Sequence, residues 1–507
     1  MKYRLLLFAA LIGVLVRLVP LTYAQTAPLT FYETVASTLA PGASEDWTLT
    51  APAGAVVSFV VRAADDAFDP TLTILEGGTP LIANDDADPA TTRNPALEAI
   101  TLPRTGTYTV RVSAYANAGG AYTLAVLPGY TQNPLHDNFD TLGGWSAVDG
   151  ELEVTEADGR LQLDLAGLEQ HGSAVNPEAV TFDHAYAVAE FDVVRTRGGW
   201  TVGLIVRQSD VDAYVIEVND RGQWRFLLRR GADETTLRDW TAHPAIVPGT
   251  TRFSLGTLMN GGEFSVFYNA QSIGIVNDAT LTNAGRIGFS VRTGSGLDSA
   301  LSVVIDSLTV TTPADPPIFP QQLLVADGSS MILELSRRGV IPPSQSSLNV
   351  PEAFIDSAGA GVGTLRLGRG ERYTTFALGS TVSWDAGFPE APVGCGLVVG
   401  LTGDREYSVG YINQNGDYGV SKRTGEIFEP GLYDDLGNFS GSPHHLLIVV
   451  APDRLHFFVD GRHRGSLAQT AVEGEIGLAT VNYEPVTISC RFTNLWLAAF
   501  AADADPS

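Results

Sequence analysis

The chain has 507 residues, a formal net charge of −26 at pH 7 and a hydrophobic share of 44%. This length suits about three ordinary domains, and the apolar share is sufficient for packed cores. The acidic balance disfavours nucleic acid and anionic membrane surfaces as partners, because both are bound through Lys and Arg side chains that neutralise phosphates. It favours a well-solvated protein and the binding of cations.

The N-terminus has the pattern of a secretory signal. Lys2 and Arg4 precede an apolar run over 5–16, and small residues surround a cleavage point after Ala24. The run is shorter than the roughly 20 residues of a membrane-spanning helix, although an uncleaved N-terminal anchor is the alternative interpretation. We therefore expect residues 1–24 to be a signal peptide. We expect the mature chain to be secreted, extracellular or at the cell surface, without a membrane span.

Proline-rich segments divide the rest of the chain. Pro128-Gly129 with Asn133-Pro134 marks one boundary, and the prolines after Thr312 mark another. The predicted divisions are a first domain at 25–130, a second domain at 131–312, a linker at 313–320, a third domain at 321–500 and a tail at 501–507.

Apolar and polar residues alternate with period two in all three domains, as in Leu161-Gln162-Leu163-Asp164-Leu165. Turn signals such as Asp158-Gly159 and Asp460-Gly461 separate the alternating segments. No segment has the pattern of an amphipathic helix longer than a couple of turns. The predicted fold class is all-β, with three β-sandwich domains.

An acidic group in the first domain suggests a cation site. Residues 71–75 and 80–83 are expected to pair as a hairpin, and reflection through its turn places Asp69 near Asp85 and Asp86. Facing carboxylates repel one another across a ladder, and Ca²⁺ with oxygen ligands relieves that repulsion. Asp69, Asp85 and Asp86 are therefore candidate Ca²⁺ ligands. The alternative is a solvated acidic edge that discourages aggregation.

The first domain also resembles a known family. The residues that carry the resemblance are Asp46-Trp47-Thr48-Leu49, Asp69-Pro70-Thr71-Leu72, Asn84-Asp85-Asp86 and Gly106-Thr107-Tyr108-Thr109-Val110. They resemble the bacterial pre-peptidase C-terminal domain, a secreted β-sandwich appendage of extracellular proteins, and the resemblance covers most of 44–126. No protease motif accompanies it.

The second and third domains carry the same strand pattern twice. Gly203-Leu204-Ile205-Val206 recurs as Gly396-Leu397-Val398-Val399. Tyr214 has its counterpart in Tyr407, the same number of residues further along the chain. No acid, base or metal ligand repeats with the strands. The repeat therefore predicts a shared architecture and gives no sign of shared catalytic chemistry.

A second resemblance rests on Asp137-Asn138-Phe139-Asp140, Gly143-Gly144-Trp145, Ala189-Glu190-Phe191-Asp192-Val193 and Gly285-Arg286-Ile287-Gly288-Phe289. These segments resemble concanavalin-like, laminin G-like jelly rolls through most of 135–312, and the resemblance continues more weakly through 350–500. It implies two jelly-roll domains related by the internal repeat. The same fold serves carbohydrate-binding modules, glucanases and 3-keto-disaccharide hydrolases, so both binding and hydrolysis remain open.

Glu190 and Asp192 are the candidates for hydrolysis. Glycosidases of this fold place two carboxylates on one face of a strand in the form Glu-x-Asp-x-x-Glu, as nucleophile and acid/base. Glu190 and Asp192 supply the first half of that pattern, but Arg195 stands in the third position and cannot exchange a proton. A solvent-facing polar side of the strand is the alternative, and we expect no enzymatic activity.

Aromatic residues are the candidates for glycan binding. Trp224 has Tyr418 as its counterpart in the third domain, beside Asn415 and Asp417. A flat ring can lie against the apolar face of a pyranose while polar neighbours bind its hydroxyls. The alternative is core packing, because Trp is highly buried on average.

The two cysteines, Cys395 and Cys490, both lie in the third domain, where the repeat places them opposite Val202 and Val303. A disulfide is expected in an oxidising compartment, and two buried thiols are the alternative. Four histidines of this domain, His444, His445, His456 and His463, are a weaker candidate for a transition-metal cluster.

Together these patterns predict a secreted, non-catalytic protein that recognises an extracellular glycan or a surface protein through tandem β-sandwiches. A glycoside-processing hydrolase in the second domain and a structural spacer of the cell envelope are the alternatives. Ca²⁺, if the acidic group binds it, is the sole cofactor expected.

Overall fold

The computed structural model describes residues 27–500 apart from short gaps at 88–91, 116–117, 141–142, 177–178, 197–198, 295–299, 316–317, 319–322, 324–327, 338–340, 343, 369, 387–391 and 437–440. The predicted signal peptide at 1–24, the predicted tail at 501–507 and half of the predicted linker at 313–320 lie outside the described residues. In the part of the chain that is described, no helix is long and apolar enough to cross a membrane.

The first sandwich is built from nine strands: β1 (Ala27–Pro28), β2 (Thr34–Leu39), β3 (Ser44–Ala51), β4 (Val56–Ala63), β5 (Pro70–Glu76), β6 (Thr79–Asn84), β7 (Ala96–Thr101), β8 (Gly106–Ala114) and β9 (Gly120–Pro128). One sheet has the order β1-β3-β8-β5-β6 and the other β2-β9-β4-β7. The hairpin expected after Asp69 is confirmed, since β5 pairs with β6 around Gly77-Gly78. Both glycines have positive φ, the conformation that favours glycine in tight turns.

The second sandwich is built from fifteen strands: β10 (Gln132–Asp137), β11 (Ser146–Gly150), β12 (Glu153–Ala157), β13 (Arg160–Leu165), β14 (His171–Val175), β15 (Ala185–Thr196), β16 (Trp200–Gln208), β17 (Asp212–Asn219), β18 (Gln223–Arg230), β19 (Asp233–Ala242), β20 (Arg252–Asn260), β21 (Glu263–Tyr268), β22 (Gln271–Asn277), β23 (Arg286–Thr293) and β24 (Leu301–Thr312). Its back sheet has the order β12-β13-β24-β15-β20-β21-β22, with β10 also on β24. Its front sheet has the order β11-β14-β23-β16-β17-β18-β19.

The third sandwich is built from one helix, α1 (Gly328–Arg337), and thirteen strands: β25 (Ser344–Ser357), β26 (Gly361–Leu367), β27 (Phe376–Ala386), β28 (Val393–Gly403), β29 (Glu406–Asn413), β30 (Asp417–Thr424), β31 (Ile427–Phe428), β32 (Leu432–Asp435), β33 (His444–Val450), β34 (Arg454–Val459), β35 (Arg462–Ala468), β36 (Glu475–Asn482) and β37 (Ile488–Phe500). Its back sheet has the order β25-β37-β27-β33-β34-β35. Its front sheet has the order β26-β36-β28-β29-β30-β31, with β32 also on β30.

The protein is therefore all-β, as the alternating sequence predicts, with a separate buried core between the two sheets of each sandwich. The helix α1 was not predicted. Its apolar side chains Met331 and Leu335 pack on Leu447, Val449 and Trp496 at the outer surface of the back sheet of the third sandwich. Two apolar side chains one turn apart are too short a pattern to separate a helix from a loop in the sequence.

The first and second sandwiches contact each other through buried groups. Tyr130 lies between them with Tyr186 and Phe267 in an apolar cluster. The buried carboxylate of Glu98 accepts hydrogen bonds from the backbone N–H of Thr131 and of Ala314, at 3.1 and 2.9 Å. Glu98 of the first sandwich thus binds the backbone at both ends of the second sandwich, at Thr131 and at Ala314.

The helix α1 connects the third sandwich to the second. Arg337, at its C-terminal end, donates to the side chains of Glu263 and Ser265 on β21, at 3.2 and 2.7 Å. Ser336 accepts a hydrogen bond from the side-chain amide of Asn260, at 2.8 Å. The outer surface of the second back sheet is consequently contacted by both neighbouring parts of the chain.

Candidate functional site

The front sheets of the second and third sandwiches each have one face in the core and one face turned outward. On β29 the outward side chains include Tyr407, Val409 and Tyr411, which form an apolar cluster separate from the sandwich core. Alternation along a strand dictates this division, because successive side chains point to opposite faces of a sheet. The intervening Ile412 belongs to the core.

The outward surface of the third front sheet carries a group of residues that we call the tyrosine face: Tyr411, Tyr433, Tyr483 and Asp417. Tyr433 and Tyr483 are 63% and 53% exposed, whereas Tyr411 is buried. The hydroxyls of Tyr411 and Tyr483 share a hydrogen bond, and the Asp417 carboxylate lies near enough to the Tyr433 hydroxyl to raise its pKa. Two exposed rings therefore flank a cluster of hydroxyl and carboxylate groups.

Glycines shape the surface around Tyr411. A Cβ added at Gly419 would lie 2.8 Å from the Cε1 atom of the Tyr411 ring, and one added at Gly396 would lie 2.9 Å from its Cβ. Gly396 pairs with Tyr411, and Gly419 lies between Tyr411 and Tyr433 in the sheet. Only small residues let the ring lie flat across the strands at this point.

The hydroxyls of Tyr411 and Tyr433 remain protonated at neutral pH. Burial raises the pKa of Tyr411, and its hydrogen bond to Tyr483 raises that pKa further. Reduced hydration also raises the pKa of Tyr433, followed by the charge of Asp417. The face therefore combines flat apolar rings with hydroxyl and carboxylate groups, Asp417 and its cross-strand neighbour Asp435 among them, which can form hydrogen bonds with a polyhydroxylated ring.

The same position of the second front sheet carries charges. Glu217, which pairs with Gly203 as Tyr411 pairs with Gly396, is fully buried. Its carboxylate accepts from Arg225 and from Arg292, each at 2.6 Å, and from the hydroxyl of Ser290 at 3.2 Å. We call Glu217, Arg225, Arg292 and the neighbouring Glu234, which also binds Arg292, the arginine cluster. These charges compensate one another.

Trp224 and Tyr418 are buried, so the structure places neither ring on a surface where a sugar could stack. Trp224 has no exposed surface, and Tyr418 is 4% exposed. Both belong to the cores, one position along the strand from an outward side chain. Their equivalence in the repeat is confirmed by pairing, since Trp224 faces Val218 and Tyr418 faces Ile412.

Asn415 lies in the turn between β29 and β30, and Asp417 is the first residue of β30. The side chain of Asn413 organises this turn: its Oδ1 accepts from the backbone N–H of Asn415 and of Asp417, each at 2.9 Å. Its amide nitrogen donates to the Asp417 carboxylate at 2.8 Å. Asp417 is thus the predicted binding residue that the structure places on the tyrosine face.

The sequence analysis did not predict Tyr433 and Tyr483 as binding residues. Each is an isolated aromatic residue in a loop-rich part of the sequence, so neither gave a periodic signal.

Glu190 and Asp192 lie on the outer surface of the second back sheet. The Asp192 carboxylate forms an ion pair with Arg252 at 2.6 Å, and the two residues are neighbours across β15 and β20. Glu190 is exposed, but partial loss of hydration and then the charge of Asp306 raise its pKa. Arg252 is thus the partner of Asp192, and a guanidinium cannot act as the second proton-exchanging group that a glycosidase site requires.

The acidic loops of the first sandwich are also partly compensated. Asp69 has the guanidinium of Arg93 at 4.0 Å, and the Asp85 carboxylate accepts from the backbone N–H of Asp86 at 3.0 Å. Within the described ranges, no group of three or more His, Cys, Asp or Glu residues is placed to hold a metal ion. The Ca²⁺ site at Asp69, Asp85 and Asp86 stays a prediction.

The histidines of the third sandwich divide between two faces. His444 points inward and stacks on Trp384, and it shares a hydrogen bond with Asp460 at 2.7 Å. His456 and His463 both approach the hydroxyl of Ser466, at 2.7 and 3.3 Å, next to the surface that α1 covers. Burial lowers the pKa of His456 to about 3, and burial lowers that of His463 and of His445 to about 4.

Cys395 on β28 and Cys490 on β37 form a disulfide that joins the front and back sheets of the third sandwich. Both side chains are fully buried in the core. The free-thiol alternative therefore does not describe this structure.

The described residues line a cavity in the second sandwich and another in the third. The larger, about 380 Å³, is in the second sandwich and is lined by apolar side chains such as Trp145, Phe182 and Ile287. Its Asp137 carboxylate is engaged by the Trp145 indole at 3.0 Å. The smaller, about 190 Å³, lies in the third sandwich beside Tyr407, and there the hydroxyl of Ser408 donates to Gln469. The larger lining includes His136 and Asp137, and the smaller includes Glu406 and Lys422.

No protein-family profile matches the chain, and no curated protein sequence matches it either. Solved structures with a similar fold include a carbohydrate-binding module of Bacillus subtilis, which is 13% identical over 32% of this chain and 93% of its own, with a TM-score of 0.26. A β-glucanase of Bacillus licheniformis is 11% identical over 36% of this chain and 99% of its own, with a TM-score of 0.27. A galectin-like protein of unknown function from Bacillus subtilis is 12% identical over 36% of this chain and 96% of its own, with a TM-score of 0.27. At this level of similarity the neighbours identify neither a ligand nor a reaction for this chain.

Proposed function

We propose that the protein is a secreted, non-catalytic carbohydrate-binding protein and that the tyrosine face of the third sandwich is its binding surface. The observation that carries this proposal is the exposure of Tyr433 and Tyr483, at 63% and 53%, beside the buried Tyr411 and Asp417. Large rings held at the surface by their hydroxyls lose little freedom on binding, and Tyr offers an apolar body with a polar end.

The chemistry of the face favours a neutral glycan over a protein or an anionic ligand. A pyranose presents an apolar side of C–H groups and a rim of hydroxyls, which match the exposed rings and the polar cluster. The carboxylate of Asp417 accepts hydrogen bonds from hydroxyls and repels anions. The net charge of −26 adds to that repulsion over the whole surface.

Binding without catalysis is the form of the proposal that the described carboxylates support. Glycoside hydrolysis requires a pair of carboxyl groups that flank the bond and exchange a proton. Asp192 is held by Arg252, Glu217 is held by two arginines, and Asp417 is held by Asn413. The first sandwich, which resembles a secreted appendage, has the role of an accessory module in this proposal.

The test is a glycan array with purified full-length protein, followed by titration of the best ligand. Tyr433→Ala is expected to weaken binding about tenfold or more, as expected for the loss of an aromatic anchor. Tyr115→Ala is the matched control, because Tyr115 is 57% exposed in the first sandwich, away from the face. Equal binding by the wild type and Tyr433→Ala would contradict the proposed surface.

Two further outcomes separate the alternatives. An array without any glycan ligand would favour the structural spacer. Release of reducing sugar from the bound glycan, abolished in Glu190→Gln, would favour the hydrolase. We expect neither result.

A further inference from the structure

A second aromatic group lies on the same outward surface, four residues along the strands from the tyrosine face. Tyr407 pairs with Arg423, and Arg423 pairs with Phe428, so the three residues form one row across β29, β30 and β31. The guanidinium of Arg423 lies over both rings, 5.7 Å from the centre of Tyr407 and 5.3 Å from that of Phe428. We call these three residues the distal row.

The distal row matches the row of the tyrosine face in its arrangement. Tyr411 pairs with Gly419, and Gly419 pairs with Tyr433 on β32. In each row the ring on β29 is buried, and the ring on the edge strand is exposed: 63% for Tyr433 and 42% for Phe428. The two rows thus present two aromatic contacts along the same edge of the sheet.

The separation of the rows sets a length for the ligand. Tyr407 and Tyr411 are four residues apart on β29, and strands rise about 3.3 Å per residue, so the rows lie about 13 Å apart. A single sugar ring on Tyr433 does not reach Phe428 over that distance. A linear chain of about three or more rings does.

The centre of the distal row favours hydroxyl groups as well. Arg423 donates to the hydroxyl of Tyr407 at 3.0 Å and to the carbonyl oxygen of Gly425 at 3.1 Å. Glu426 lies 3.8 Å from the same guanidinium and also pairs with Arg405, and the carboxylate of Glu406 accepts from the backbone N–H of Gly425, so two carboxylates balance the two guanidiniums. The row therefore offers a ring and a hydrogen-bonding planar group without a net charge that would select an acidic sugar.

From these observations we propose that the ligand of the third sandwich is an internal stretch of a linear, neutral polysaccharide. The chain lies along the edge formed by β31 and β32, with one ring on Tyr433 and a later ring on Phe428. This inference rests on the proposed function and adds the class of ligand: an extended chain in place of a terminal sugar.

The experiment measures affinity against chain length. The probes are oligosaccharides of two, four and six rings from linear β-glucans, xylans and mannans, titrated calorimetrically into the full-length protein. Affinity is expected to rise about tenfold or more between two and six rings, because the longer chain reaches the second anchor. Phe428→Ala is expected to remove this rise, so that six rings bind the variant no more tightly than two.

The matched control is Ile427→Ala. Ile427 is 68% exposed and adjacent to Phe428, but it points to the other side of β31 by alternation. Its replacement is expected to preserve the length dependence. Circular dichroism and melting curves of both variants check that β31 remains folded.

The outcomes distinguish this inference from the proposed function. Binding that is equally tight at two and six rings, or a Phe428→Ala variant that keeps the length dependence, would show the inference to be wrong while the tyrosine face stands. The inference would be equally wrong if only terminal or branched sugars bound. If no sugar binds at all, both proposals fall.

Discussion

The second and third sandwiches place different chemistry on the same position of the same sheet. In both, a glycine of the central front strand faces a large outward side chain: Gly203 faces Glu217, and Gly396 faces Tyr411. In the second sandwich that side chain is a buried carboxylate held by Arg225 and Arg292. In the third it is a tyrosine whose ring lies over Gly419.

This difference has a consequence for each surface. Charges that neutralise one another at 2.6 Å leave few unsatisfied groups for a ligand, and breaking them is costly. Exposed rings with hydroxyls cost little to cover and gain from apolar contact. The two sandwiches therefore share a scaffold but differ in its outward surface. Ion pairs cover the front sheet of the second sandwich, whereas the front sheet of the third exposes tyrosine rings.

The largest expected effect concerns the disulfide, which the second sandwich lacks. The variant Cys395→Val with Cys490→Val gives the third sandwich the residues that the repeat places at Val202 and Val303. Losing a link across 95 residues of sequence is expected to cost about 4 kcal/mol of unfolding free energy. Hydrogen exchange resolved by mass spectrometry should show the loss in 344–500 and leave 132–312 unchanged. Equal effects in both regions would mean that the two sandwiches unfold as one unit.

The next effect tests the arginine cluster. Glu217→Gln removes the charge that faces Arg225 and Arg292, so two poorly hydrated cations lose their common partner. We expect a loss of about 3 kcal/mol in unfolding free energy, measured by urea denaturation. Glu234→Gln is the control, because Glu234 is more exposed and faces Arg292 alone. A loss no larger than that of the control would show that Glu217 does not hold the cluster together.

The sequence predicted the all-β architecture better than it predicted which side chains of each strand point outward. Alternation and turns such as Asp158-Gly159 are local properties, and they are enough to determine the all-β class. Which side of a strand faces the core depends on register, and a shift of one residue reverses it. Trp224 and Tyr418 are predicted to bind a ligand, yet both face the core, where large apolar side chains lower the free energy most.

Register also explains an error in the repeat. The constant offset matches Tyr214 with Tyr407, but Tyr214 lies in the core and Tyr407 on the outward face. The third sandwich has one more residue in this hairpin, since 14 positions separate Gly203 from Glu217 and 15 separate Gly396 from Tyr411. One inserted residue reverses the faces of a strand without changing its composition. The tyrosine face, which combines β29, β32 and the segment after β36, could not be assembled from sequence for the same reason.

The smallest expected effect uses pH to separate the two sandwiches. Burial lowers the pKa of His456 to about 3, whereas an unfolded histidine titrates near 6.5. His456 is therefore neutral in the folded state, and its full contribution to stability is present above pH 6.5. As pH falls below 6.5 the unfolded state takes up a proton that the folded state does not, so stability is lost toward pH 3. The slope is about 1.4 kcal/mol per pH unit for each such histidine.

The replacement His456→Gln should remove that share of the acid sensitivity. Glutamine keeps a group that can bond to Ser466 but does not titrate, so at pH 5.5 the variant is expected to lose about 1.4 kcal/mol less than the wild type relative to pH 7.5. His243→Gln in the second sandwich is the control, because His243 lies only half-buried in the loop after β19. Urea denaturation at both pH values measures the difference. If the two replacements changed the pH dependence equally, the buried histidine of the third back sheet would not be its source. A selective effect of His456→Gln would mean that this buried histidine makes the sandwich that carries the tyrosine face sensitive to acid.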